Sequence, residues 1–303
     1  MKALLRLRSV GSAESAPVHI DRNDPDVDRK FLSDVPFKLG VMWLLLCVVV
    51  AIFANWLQVY DFQAIDLRAR LTPPVGLGGS WNHPLGTDEL GRDVMSRLVA
   101  SIQVSLALAT AGAALSIMIG TVMGFLAAHF RGLVDDAIMV MSDIQAALPF
   151  FMIALVSIAI LGPSVPLFVI LLGLFGWERY ARLARAMALS ANEHGYAEAL
   201  RGLGLGPLRI YWRHILPNIS SVLIVNATLS FSETLLLEST LSFLGLGIQP
   251  PLSSLGNMVG FGRETILSAW WVVASPALVI LFCSLALAIV GDRLRDYLDP
   301  ELP

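Results

Sequence analysis

Charge is what this sequence has least of. Only 15% of its 303 residues are Asp, Glu, Lys or Arg, while 56% are apolar; a soluble globular chain carries about 25% charged residues. An apolar excess of that size cannot all be buried in one soluble core, and it excludes a disordered chain. Cysteine is scarce as well. Cys47 and Cys283 are the only two, which excludes a disulfide scaffold; they have no metal-ligand spacing and read as small apolar fillers. A basic surplus is also missing: the formal net charge is −3, so affinity for nucleic acid through a basic surface is excluded. The first ten residues are basic but hold no apolar run and no small-residue cleavage site, so no signal peptide is expected there. Residues 9–30 are polar and charged, and mobility is expected of them.

The missing charges are missing locally. Residues 39–60, 98–130, 144–177, 214–232, 239–262 and 265–291 contain no Asp, Glu, Lys or Arg. A bilayer core requires about 20 mostly apolar residues in helix. The chain therefore reads as an all-α polytopic membrane protein with six transmembrane helices. The first covers 39–60 and the second 98–130. The third starts near 134, is interrupted by Asp143, and is parted from the fourth by Gly162-Pro163. The fifth covers about 217–241 and the sixth about 270–290. A seventh across 246–261 is disfavoured by Pro250-Pro251 and by Gly256, Gly260 and Gly262. With both termini inside, 16 of the 21 Lys and Arg residues fall on the cytoplasmic side, the asymmetry expected of a cytoplasmic face. The expected organisation is a cytoplasmic segment 1–38, a first span 39–60, an outer loop 61–97, a membrane core 98–292 containing a cytoplasmic loop 178–217, and a tail 293–303.

Three segments are more than hydrophobic. In the outer loop, Thr87 or Asp88 suits a helix N-cap, with Asp88 and Glu89 complementing the positive helix end. Cation binding by His83, Asp88, Glu89 and Asp93 is the weaker reading, because neither an EF-hand spacing nor a His pair on one helical face is present. In the cytoplasmic loop, Arg179, Arg182 and Arg185 extend the fourth span and are expected to snorkel to lipid headgroups. The run Tyr196-Ala197-Glu198-Ala199-Leu200-Arg201 then reads as a short helix, followed by a break at Gly202 and Gly204, a second amphipathic piece, and Pro217 opening the next span. A phosphate loop is excluded there, since Pro207 occupies the last glycine position and no GKS or GKT follows, whereas periodicity leaves an ordinary interfacial helix open. In the fifth span, Asn226, Ser230 and Glu233 lie within about 60° of one another at 100° per residue, and Glu238 points elsewhere. Such a polar stripe marks either a translocation path or hydrogen bonding to a neighbouring helix; for Glu238 the structural reading is preferred.

Gly112, Ser116, Gly120, Gly124 and Ala128 recur every four residues along the second span. Small residues at this spacing let helix backbones approach closely, and the row predicts a crossing partner inside the chain or on another subunit.

The loop at 196–217 resembles the EAA loop of ABC-type importer permeases, E-A-A-x3-G-x9-I-x-L-P. Glu198, Ala199, Gly204, Leu216 and Pro217 match, while Leu200 and His214 replace an Ala and the Ile. Collinear fragments point to a narrower group: 83–93, Leu148-Pro149, 213–218, 241–247, Gln249-Pro250-Pro251 and Leu298-Asp299-Pro300. Together they resemble the dipeptide/oligopeptide/nickel permease family, and the long loop after the first span resembles its "C" partner. The resemblance implies a type I ABC importer permease fold in the bacterial inner membrane. It also implies pairing with a second permease, two ATPase subunits that bind ATP and Mg, and an extracytoplasmic solute-binding protein. The short helix of the loop would then dock on the ATPase. No Walker A motif occurs in this chain, so hydrolysis is expected in the partners and no cofactor is expected here. Two other classes are weaker. A proton-coupled secondary transporter leaves the EAA-like loop unexplained. An intramembrane enzyme lacks GxSxG and HExxH, and Ile289 stands where the GxGD of membrane aspartyl proteases requires Gly.

Overall fold

The computed structural model describes residues 35–193, 202 and 204–298. The expectations for 1–34, for Tyr196–Arg201 and for the last five residues lie outside that range. All regular structure among the described residues is helical. The long elements are α1 (Val35–Ile52), α2 (Val94–Phe130), α3 (Gly132–Ala147), α4 (Phe150–Leu161), α5 (Val165–Leu174), α6 (Trp177–Glu193), α7 (Pro207–Phe243), α8 (Leu255–Gly262) and α9 (Trp271–Leu298). By length and composition α1, α2, α7 and α9 are each able to cross a membrane, and α3 with α4 makes a fifth if counted as one span.

The segments predicted as the third and fourth spans are not simple rods. Pro149 follows Leu148, whose backbone is extended as the residue before a proline prefers; α3 and α4 meet there at 91°. The fourth is broken at Phe175-Gly176, where Gly176 has φ +79°. Carbonyls freed by that break have partners: Ser116 Oγ donates to Phe175 O at 2.8 Å, and Gln145 Nε2 donates to Leu174 O at 3.1 Å. A break inside the apolar part of a chain needs such replacements, because lipid supplies none.

α7 begins earlier than the sequence indicates. Pro217 stands in the first turn of the α-helical stretch Leu216–Phe243, as expected, but that stretch continues a helical run begun at Pro207, through a π turn at Tyr211–Ile215 in which Leu216 N–H reaches Tyr211 O. A proline inside an α-helix clashes with the carbonyl four residues back, and the wider π turn moves that carbonyl away. The segment 246–261 is broken up as expected, with only α8 helical in its second half.

α2 is the axis of the molecule. Its Gly112, Ser116, Gly120, Gly124 and Ala128 are placed against α5 and α6. A Cβ on Gly112 would meet Leu172 Cβ, one on Gly120 would run into Trp177 O and Tyr180 Cβ, and one on Gly124 into Ala181 O. Ala128 packs with Tyr180, Ala184 and Ala188. The crossing partner of the small-residue row is therefore within this chain. α1 lies on α9: Gly40 faces the Ala286 backbone, and the buried thiols of Cys47 and Cys283 are 3.6 Å apart.

Candidate functional site

α6 carries the main cluster of charge in the apolar part of the chain. Trp177, Tyr180, Ala181, Ala184 and Ala188 are buried against the small-residue face of α2, which leaves the arginines on the other side. Each has a carboxylate partner on another helix. Arg179 pairs with Glu233 on α7 at 3.0 Å, and Arg182 with Asp143 on α3 at 3.1 Å. Arg185 makes a two-pronged contact with Asp135 on α3, Nε to Oδ1 at 2.5 Å and Nη2 to Oδ2 at 2.6 Å. Bidentate Arg–carboxylate contacts of this kind are the strong, orienting ones. Three arginines spaced three apart thus tie one helix to two others. The charges were visible in the sequence, but their partners were not, because Asp135, Asp143 and Glu233 lie up to 54 residues away.

The predicted polar stripe divides. Glu233 is in the ion pair with Arg179. Asn226 donates to Val222 O of its own helix at 2.9 Å, and Ser230 is buried. Glu238 is fully buried and accepts from Ser242 Oγ at 2.9 Å and Ser239 Oγ at 3.3 Å, both on its own helix. Its surroundings join α7 to α2 and α8, for Ser105 Oγ on α2 accepts the Leu255 N–H at 3.0 Å and Ser254 caps α8.

The outer loop corrects another expectation. The N-cap of α2 is Asp93, which accepts from Ser96 N–H at 2.7 Å, and neither Thr87 nor Asp88 serves. Gly86 and Gly91 adopt positive φ, and the chain between them folds under itself. Asp88 is thereby buried, accepting the N–H groups of Leu90 and Arg92 at 2.9 Å each, Arg92 Nε at 2.7 Å, and Arg97 Nη1. His83 Nδ1 lies 3.0 Å from Asp93 Oδ1. Of the carboxylates considered as cation ligands, Asp88 and Asp93 are thus engaged by protein groups. Trp271 of α9 closes the loop by donating Nε1–H to Thr87 O at 3.2 Å.

Of the coupling-loop residues, Tyr196, Ala197, Glu198, Ala199, Leu200 and Arg201 lie outside the described residues. Gly204 has φ +80° with open space around it, and Pro217 lies in α7. The loop leaves from the end of α6, the helix held by the three arginines.

The site is thus a broken helix, paired through its arginines, that crosses a small-residue face in a chain with several membrane-length helices. Residues 92–302 match the family described as binding-protein-dependent transport system inner membrane component, and the chain belongs to that family. It is similar to the di/tripeptide transport system permease protein DppC of Pseudomonas aeruginosa, 41% identical over 264 residues that cover 87% of both chains. The dipeptide transport system permease protein DppC of Escherichia coli K12 is 41% identical over 265 residues, covering 87% of this chain and 88% of the relative. A probable D,D-dipeptide permease, DdpC of the same strain, is 36% identical over 85% of each. Within its family the chain is thus a C-type ABC permease of the dipeptide/oligopeptide group.

Proposed function

We propose that this chain is one of two permease subunits of an ATP-driven importer of di- or oligopeptides in the bacterial inner membrane. Its partners are a second, homologous permease, two ATPase subunits that bind ATP and Mg, and an extracytoplasmic solute-binding protein. The chain itself binds no cofactor. Counting α3 with α4 and α5 with α6 as one span each, the helices α1, α2, α7 and α9 complete six, with both termini in the cytoplasm as the Lys and Arg distribution favours. Asn226, Ser230 and Glu233 lie along the translocation path.

The observation that carries this reading is that α6, held to α3 by the Arg185–Asp135 contact, ends at Glu193, directly before the EAA-like segment in the sequence. Gly204, with φ +80°, precedes the start of α7 at Pro207. Movement of Tyr196–Arg201 by an ATPase that closes on ATP is thereby passed to α3 through the Arg185–Asp135 contact and to α2 through the close packing of the small-residue row. Glu198→Lys and Gly204→Asp are expected to abolish uptake and to remove solute-stimulated ATP hydrolysis in the reconstituted complex, with membrane insertion unchanged. Normal stimulation in both variants would falsify the coupling role.

A further inference from the structure

We propose that the Arg179–Glu233 pair is a charge-exchange site for zwitterionic cargo, where Arg179 takes a free carboxylate and Glu233 a free ammonium as the peptide crosses. The inference rests on the peptide-importer reading above and adds to it a place and a chemistry.

Depth comes first. α5 has 10 residues, so it rises about 15 Å, half of a hydrocarbon core about 30 Å thick. The break at Phe175-Gly176 is therefore near mid-membrane, and Arg179 follows it by less than one turn. Glu233 stands ten residues before the end of α7 at Phe243, which is again about 15 Å. Two independent helices place the pair at one level.

Exposure comes second. The side chains of Arg179 and Glu233 are 46% and 45% exposed in this chain. Charges at that depth face the interior of the bundle or a water-filled space rather than hydrocarbon, and this pair is open enough to be reached from it. The pair is neutral and already formed, so it presents no uncompensated charge that a second subunit would have to supply. Such half-exposed ion pairs are weak, and opening this one to make two new pairs with a zwitterion costs little. The same stretch of α6 also holds a buried oxygen without a hydrogen-bond partner among the described residues, Glu178 Oε2.

Direction comes third. Arg182 and Asp143 form the next pair, 45% and 70% exposed, about 4.5 Å further along the axis of α6. Beyond it lies the more buried Arg185–Asp135 contact. A zwitterion released by the first pair meets an equivalent one on the way to the ATPase side, whereas the third pair holds the helix.

The test uses the assembled importer in proteoliposomes. Its binding protein is loaded with Ala-Ala, N-acetyl-Ala-Ala or Ala-Ala amide, and loading is confirmed by calorimetry. Arg179→Gln is expected to lower turnover of Ala-Ala at least tenfold, to the level of the amide in the wild type, while barely changing the amide itself. Glu233→Gln is expected to do the same relative to the N-acetyl peptide. ATP hydrolysis stimulated by loaded binding protein should persist in both. The double variant Arg179→Gln with Glu233→Gln separates a strut from a site. A strut is restored when both charges go, since no orphan remains; a site stays impaired. Restored turnover in the double variant, equal losses for free and blocked peptides, or equal wild-type turnover of all three, would overturn the proposal. If loaded binding protein fails to stimulate ATP hydrolysis in the wild-type complex, the importer reading fails instead, which is a distinct result.

Discussion

Asp88→Asn is expected to cost about 3–5 kcal/mol, the penalty for breaking a buried ion pair by removing one partner. Asp88 is 2% exposed, and two guanidiniums converge on it, of which Arg97 is itself only 4% exposed. An asparagine keeps one carbonyl oxygen, which can still accept the Leu90 and Arg92 N–H groups. Its amide nitrogen, however, then presents donors to two guanidiniums that have only donors to offer. Arg97 is left as a buried cation with no counter-ion. Loss of the fold at 86–93 also releases the Trp271 contact and the Asp93 cap on α2. The expected readout is a lower melting temperature of the detergent-solubilised protein together with new protease sites between residues 61 and 93. Adding Arg97→Met to Asp88→Asn should recover part of the loss, because an apolar side chain leaves no orphan charge. A wild-type melting temperature for Asp88→Asn alone would show that the loop is not held in this way.

Gly124→Val carries the second large effect. A Cβ at this position would run into Ala181 O and come within 2.8 Å of Ala184 Cβ. Neither obstacle is a flexible side-chain tip. α6 cannot retreat freely, since Gly120 sits equally close to Trp177 and Tyr180 and Ser116 holds the Phe175 carbonyl. Overpacking a well-packed core costs about 1–3 kcal/mol, and here the displacement is passed along α6 to its three ion pairs. Gly124→Val is therefore expected to lower both the melting temperature and the yield of assembled complex, with Gly124→Ala intermediate. Gly76→Ala, with open space around it, serves as the control and should have little effect. Equal behaviour of Gly124→Val and the control would mean that α2 and α6 do not touch along this row.

Several features were legible without coordinates because they depend on one position or on a short run of neighbours. The charge-free stretches mark α1, α2, α7 and α9 since each is a one-dimensional property, the absence of any group that resists transfer to lipid. The every-fourth-residue row on α2 announced a close helix crossing for the same kind of reason. The bend at Leu148-Pro149 was also available from the local rule that a residue preceding proline leaves the helical region, but the surrounding apolar run conceals it. The break at Phe175-Gly176 was harder to see. A lone glycine in an apolar stretch is ordinary, and what makes this one a break is the hydroxyl of Ser116 and the amide of Gln145 arriving from two other helices to take the freed carbonyls.

The composition of this chain by itself determined that it enters a membrane, roughly where, and which loop stands apart from the rest. Only the tertiary structure decided what its few charges do. Arg179, Arg182 and Arg185 look in sequence like residues reaching for lipid headgroups, and Asp88 looks like a helix cap. In the fold each of them meets an opposite charge. The physical reason is that a charge set among apolar helices, fully buried like Asp88 or half-exposed like Arg179, is stabilised by an opposite charge, and the sequence shows the need for a partner without showing its identity. That identity depends on which helices cross, and the crossing is set by how closely α6 can approach the glycines of α2.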